Sequence, residues 1–150
     1  MWKSLLQTSG SSVETILRIA LAVVFFPHGA QKVLGWFGGY GLSGTMAFFT
    51  GKMGIPPLFA ALDIAAEFLG PIALFFGFFT RMAALGIFVA MATAATLVHG
   101  KLGFFMNWFG QLPAGTEGFE YHILALALAF AVMVRGAGAL SVDRALAGGK

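Results

Sequence analysis

The chain has 150 residues, of which 59% are hydrophobic and only 10% charged, well outside the usual balance of a soluble domain. Nine Lys and Arg against six Asp and Glu give a formal charge of +3, but the basic residues are spread singly, with no run or face to follow a phosphate backbone, which excludes nucleic acid as a partner. The absence of cysteine removes disulfides, thiolate nucleophiles, CxxC redox pairs and thiolate metal sites from the chemistry this chain can supply itself.

The start, "MWKSLLQTSGSSVETILRIA", carries a lysine, a polar stretch and two further charges before the first apolar run. No small-residue cleavage pattern follows, so the first hydrophobic segment is expected to be retained. Apolar runs counted against the ~20 residues that cross ~30 Å of hydrocarbon predict helices at about 13–34, 56–79, 82–99 and 119–140. The expected fold is therefore all-α, a four-transmembrane-helix bundle forming a single membrane domain over residues 1–150. Met82–Val98 carries no charge. The last run has 14 uncharged residues, Tyr121–Val134, and is expected to continue towards Leu140 while Arg135 snorkels to the interface.

Only "FTR", around Thr80 and Arg81, joins the second and third spans, which must form an antiparallel hairpin. The other connections, "GWFGGYGLSGTMAFFTGKMGIPP" and "GKLGFFMNWFGQLPAGTEG", are long, glycine- and aromatic-rich, and on one side of the membrane. Trp36, Tyr40 and Trp108 suit an interfacial belt, and "SGTMAFFTGK" predicts a short helix in the headgroup region. Lys3, Arg18, Arg81, Arg135, Arg144 and Lys150 fall on the terminal side, against Lys32, Lys52 and Lys101 on the loop side. That asymmetry predicts cytoplasmic N- and C-termini and two outer loops. No repeat argues for two inverted halves.

An ionisable side chain at mid-bilayer costs ~2.5–3.5 kcal/mol on insertion scales, so it must face the bundle interior, pair, or serve a function. At ~1.5 Å per residue, His28 lies about 9 Å inside the outer end of the first span and Asp63 about 10 Å inside that of the second. Lys32 is one turn shallower than His28, and Glu67 one turn deeper than Asp63, each on the same helix face as its neighbour. His99 ends the third span on this side, and Glu120 and His122 begin the fourth, so seven ionisable groups from four helices are expected in the outer half. Two stacked carboxylates repel in low dielectric, so at least one of Asp63 and Glu67 is expected to be protonated or paired with Lys32 or a histidine. This is either a proton-handling pair or an internal ion-pair network pinning the bundle.

His28, His99 and His122 with the carboxylates have ligand chemistry, but no HExxH- or ExxH-type spacing supports a metal. Arg18 reads as a snorkelling or capping residue of the inner end, with a ligand headgroup as the other reading. Pro27 and Pro71 are expected to free carbonyls beside His28 and Glu67. The surrounding phenylalanines are core or lipid-facing by default, and would also suit a flat apolar ring such as a quinone.

"ILRIALAVVFFPHGAQKVLGWFGG", "AAEFLGPIALFFGFFTRMAAL" and "EYHILALALAFAVMVRGAGALSVDRAL" resemble the signatures of the DoxX family of small four-helix bacterial inner-membrane proteins, over about Leu17 to Leu146. The resemblance implies a multi-pass inner-membrane protein grouped with candidate oxidoreductases, with links to quinone-dependent thiosulfate oxidation and to oxidative-stress and thiol homeostasis. Carried onto this chain, the family's polar positions are Arg18, His28, Gly29, Lys32, Glu67, Gly70, Arg81, Glu120, Ser141 and Asp143. Asp63 is not among them, and the family's Gly-Gly after the glutamate is here Gly70-Pro71. "GAGALSVD" also reads simply as a helix cap.

The expected function is a membrane oxidoreductase subunit in which a quinone-type headgroup docks in the outer half of the bundle. His28 and Glu67 are the candidate catalytic residues, and Arg18, His28, Lys32, Glu67 and Glu120 the candidate binding set. Lys32 or His28 would hydrogen-bond a quinone oxygen, and Glu67, with Asp63, would supply or accept the coupled proton. Electrons would come from a soluble or membrane redox partner; the lipid bilayer is the other partner, with self-association left open. The alternatives are a non-enzymatic binding or assembly factor with a structural polar core, and a small proton-coupled transporter.

Overall fold

The computed structural model describes residues 5–113 and 115–148, and among these every regular element is helical. Lys3 and Lys150, counted above on the terminal side, lie outside the described residues. Helix α1 (Ser12–Leu34) begins where Ser11 turns its side chain to accept from the Val13 amide, and stops at Gly35 in the left-handed region. The short α2 (Gly41–Ala47) runs on into a π-helical turn, Phe48–Lys52, as expected for "SGTMAFFTGK". Helix α3 (Pro57–Phe76) starts on a proline, α4 spans Thr80–Leu97, and α5 spans Glu120–Arg135. A last short helix, α6 (Val142–Leu146), is capped by the Ser141 hydroxyl.

Two predicted boundaries move. The hairpin turn is Gly77–Phe79 rather than Thr80 and Arg81, because the Asp143 carboxylate accepts from the Phe79 and Thr80 amides at 2.7 and 2.9 Å and starts α4 there. The fourth long helix does not continue to Leu140. It ends at Arg135, since Gly136 and Gly138 take φ of 87° and 80° and turn the chain back against the start of α1. With 16 residues α5 is about 24 Å long. Among the described residues, three helices, Ser12–Leu34, Pro57–Phe76 and Thr80–Lys101, are long and apolar enough to cross a membrane by length and composition. Pro27 and Pro71 both sit within continuous helices.

The four long helices pack in the cyclic order α1, α3, α4, α5. Leu21, Phe25, Leu74, Ile87 and Val132 fill the centre, with Ala84, Ala90, Ala125 and Ala129 between α4 and α5. Small residues let helix backbones approach where lipid removes any hydrophobic drive to associate. Closest is Gly29 on α1: a Cβ there would run into the Glu67 carbonyl and the Phe68 Cα of α3. This contact fixes α1 against α3 one turn below Lys32.

One end of the bundle gathers the start of α1, the Gly77–Phe79 turn, the end of α5 and α6. There Arg18, 2% exposed, donates from Nε to the Ala137 carbonyl at 2.8 Å and from Nη1 to those of Leu74 and Phe75 at 2.7 and 2.6 Å. Its Nη2 donates to the Leu140 carbonyl. The guanidinium thus satisfies carbonyls that the end of α3 leaves open. The two long connections lie at the opposite end.

Candidate functional site

The last two turns of α1 carry His28, Gly29 and Lys32, and α3 presents Asp63 and Glu67 one turn apart. Because Gly29 allows the backbones to touch beside Glu67, the Lys32 ammonium reaches both carboxylates. Its Nζ lies 2.6 Å from Glu67 Oε1 and 3.3 Å from Asp63 Oδ2. Both carboxylates are thereby paired, one of the two outcomes expected from their stacking. Glu67 is buried, while Lys32 and Asp63 are each about a quarter exposed.

The segment after α1 folds over this pair. Thr45 donates its hydroxyl to the Lys32 carbonyl at 3.1 Å, and the Phe49 ring centre lies 5.0 Å from the ammonium, a cation–π contact. From here a groove of about 1080 Å³ runs along α3 and α4. Its walls are mainly apolar, with Phe59, Leu62, Leu69, Leu85 and Val89 among them, and its charged lining is Lys32, Asp63 and Glu67 together with Lys52, whose ammonium sits over the Phe48 ring.

The other predicted site residues are not joined to this cluster. His28 is exposed, does not line the groove, and has its ring 6.4 Å from that of Phe25. Glu120 faces the connection between α4 and α5, accepting from the Met106 amide at 3.1 Å and Trp108 Nε1 at 3.0 Å. Arg18 is taken up by four carbonyls, 14 residues and about 21 Å along α1 from Lys32. His99 and His122 form a separate pair with ring centres 4.4 Å apart. His99 Nδ1 sits 2.6 Å from the Glu117 carbonyl, which can only accept, so that nitrogen carries the proton. Among the described residues, no three His, Asp or Glu stand where they could hold a metal ion.

Three contributors escaped sequence reasoning. Thr45 and Phe49 cover Lys32 from α2 and the π-helical turn that follows it, whose docking no local pattern encodes. Tyr121, half-buried with its ring 6.4 Å from that of Phe25 and its hydroxyl without a partner among the described residues, read only as the first residue of the last apolar run. The signal for Tyr121 was its place in the first turn of a helix otherwise free of hydroxyls.

The family model DoxX matches residues 13–100, which hold Lys32, Asp63 and Glu67 but not Glu120. "Putative oxidoreductase CatD" of Bacillus subtilis (strain 168) is 32% identical over 87 residues, 58% of this chain and 58% of that protein. This chain thus matches less than two thirds of that relative's length. "Inner membrane protein YqjF" of Escherichia coli (strain K12) is 29% identical over 131 residues, 87% of this chain and 89% of that protein. No solved structure matches the chain.

Proposed function

The chain belongs to the DoxX family of membrane proteins, and from that premise we propose that it is an oxidoreductase subunit binding a quinone-type headgroup at the Lys32 end of the groove. On this reading residues 1–150 form one multi-pass domain of the bacterial inner membrane, with four crossings and cytoplasmic termini. The name of the Bacillus subtilis relative supports an oxidoreductase and that of the Escherichia coli relative an inner membrane.

The observation that carries the reading is one ammonium facing two carboxylates where a long apolar groove ends. A flat polar-edged ring with an apolar tail fits that shape, with Lys32, Asp63 and Glu67 at its head and the α3–α4 groove along its tail. Such a group supplies two-electron, two-proton carrier chemistry when bound. Lys32 Nζ donates towards an oxygen acceptor at the groove's charged end. One positive charge between two carboxylates lets Glu67 or Asp63 hold a proton at a carboxylate oxygen without leaving both anions unpaired in low dielectric. Electrons come from a partner redox protein, and the family's links to sulfur and thiol oxidation give the class of donor.

Protein purified from inner membranes should carry extractable quinone. It should also bind a short-tailed benzoquinone saturably, followed by tryptophan fluorescence, with Lys32→Met weakening binding about tenfold or more. Absence of both co-purifying quinone and saturable binding would remove the proposal. A second reading is favoured by the engagement of Lys32 with Asp63, Glu67 and Phe49 together: a structural polar core in a non-enzymatic assembly factor. Glu67→Gln would then lower stability and leave every redox phenotype intact.

A further inference from the structure

At the end of the bundle away from Lys32, three guanidinium groups surround a pocket of about 550 Å³. Arg81 comes from the first turn of α4, Arg135 from the last turn of α5 and Arg144 from α6, and Gln7, Thr8, Ser9, Val134 and Ala147 complete the lining.

The charges here do not cancel. Arg135 Nε pairs with Glu14 Oε1 at 2.9 Å, and the buried Asp143 is turned onto the Phe79 and Thr80 amides. Arg81 meets only carbonyls, donating from Nη1 to Met133 and Val134 at 2.7 and 2.5 Å and from Nη2 to Gln7 at 3.1 Å. Its Nε is buried without a partner. Arg144 has one weak contact, to the Ala139 carbonyl at 3.5 Å. Neither Arg81 nor Arg144 has a carboxylate partner among the described residues.

The hydroxyls point the same way. Thr8 Oγ1 accepts from the Gly138 amide at 2.6 Å and Ser9 Oγ from the Ser11 amide at 3.2 Å. The Thr8 hydroxyl proton remains available to donate. The pocket is thus rich in donors and positive charge, which complements a group with several anionic oxygens, and guanidinium forks match phosphate in a bidentate way. An apolar track leaves it: Val134 and, one turn deeper on the same face of α5, Phe130 are both half exposed.

We propose that this pocket binds the phosphate of an anionic phospholipid headgroup from the adjoining leaflet, with an acyl chain along Val134 and Phe130. The proposal needs the membrane placement and is independent of the quinone reading.

The detergent-purified full chain is titrated with phosphatidylglycerol, and separately with phosphatidylcholine of the same acyl chains, and bound lipid is counted by native mass spectrometry. Phosphatidylglycerol should bind about tenfold more tightly, and Arg144→Glu should remove that preference. Arg144→Lys should keep most of it. Arg144 is the side chain of choice because its single weak contact leaves the fold undisturbed, which an unchanged melting temperature checks. Equal affinity for the two lipids would overturn the proposal, as would a preference untouched in both Arg144→Glu and Arg135→Gln. Glycerol 1-phosphate forms a further arm: displacement of phosphatidylglycerol only at a large molar excess supports a lipid headgroup. Binding as tight as that of the lipid would assign the pocket to a soluble phosphate and overturn it.

Discussion

Replacing Gly29 by alanine puts a methyl group where the backbone of α3 already is. The new carbon would overlap the Glu67 carbonyl oxygen and lie 2.6 Å from Phe68 Cα and 2.7 Å from the Glu67 carbonyl carbon. Carbon atoms settle at about 3.5–4.0 Å, so α1 and α3 must part by about 1 Å along that line. No rotamer relieves a clash with backbone, and overpacking of this kind costs about 1–3 kcal/mol. Alanine also favours the helix over glycine by about 1 kcal/mol, which would mask part of the loss. Gly70→Ala on α3 corrects for this, since its methyl group would meet Ile87 side-chain atoms at 3.4 and 3.5 Å, an ordinary contact, with the same helix gain. In SDS titration of the detergent-solubilised protein, Gly29→Ala should unfold about 1–3 kcal/mol sooner than Gly70→Ala. Because Lys32 follows on the same helix, Gly29→Ala should also weaken binding of the short-tailed benzoquinone. Equal unfolding midpoints for the two variants would refute the claim that the Gly29 contact sets the α1–α3 approach.

Asp143→Ala should leave the Phe79 and Thr80 amides without their carboxylate and cost about 1.5–3 kcal/mol. Hydrogen exchange should quicken at those amides more than at Ile87 in the middle of α4. Arg18→Lys should lower the thermal unfolding temperature and Arg18→Gln should lower it further, since an ammonium lacks the planar fork that reaches four carbonyls at once. Arg135→Gln should destabilise by about 1–3 kcal/mol, because it strips the cation from the buried Glu14 carboxylate. Its combination with Glu14→Gln should recover part of that loss, and strictly additive effects in the cycle would argue against the pairing.

Helix depth was legible only coarsely, because the rise per residue must be counted from span ends that the sequence leaves soft. Counting set His28 level with Asp63, Lys32 one turn shallower and Glu67 one turn deeper, whereas the structure sets Gly29 against Glu67 and brings Lys32 to both carboxylates. Rotation about the helix axis was not legible. At about 100° per residue His28 and Gly29 stand about 100° apart with Lys32 between them, so the face that turns Gly29 and Lys32 to α3 leaves His28 at its outer edge. Glu120 was correctly counted at the start of the fourth long helix, but its partners belong to a loop whose path depends on tertiary docking. At the other end, arginines read singly as snorkelling hid two long-range facts: Arg18 closes the end of α3, and Arg135 meets Glu14 from 121 residues away. Asp143 read as part of a local cap. It caps α4 instead, because Gly136 and Gly138 fold the chain back to the hairpin turn.

The two ends of the bundle use their buried cations differently, and this bears on where chemistry can occur. Arg18 is a rigid fork held by the carbonyls of Leu74, Phe75, Ala137 and Leu140, while the neighbouring Asp143 carboxylate is committed to the Phe79 and Thr80 amides. Lys32 is a point charge on a flexible stem between two carboxylates, so either bond can be exchanged for another acceptor while the ammonium stays paired. The apolar groove reaches Lys32 and does not include Arg18. Among the described residues that line this groove, a donor and two carboxylates stand together at the α1–α3 contact. There, Gly29 supplies the closeness and Asp63, outside the family's polar positions, supplies a second carboxylate.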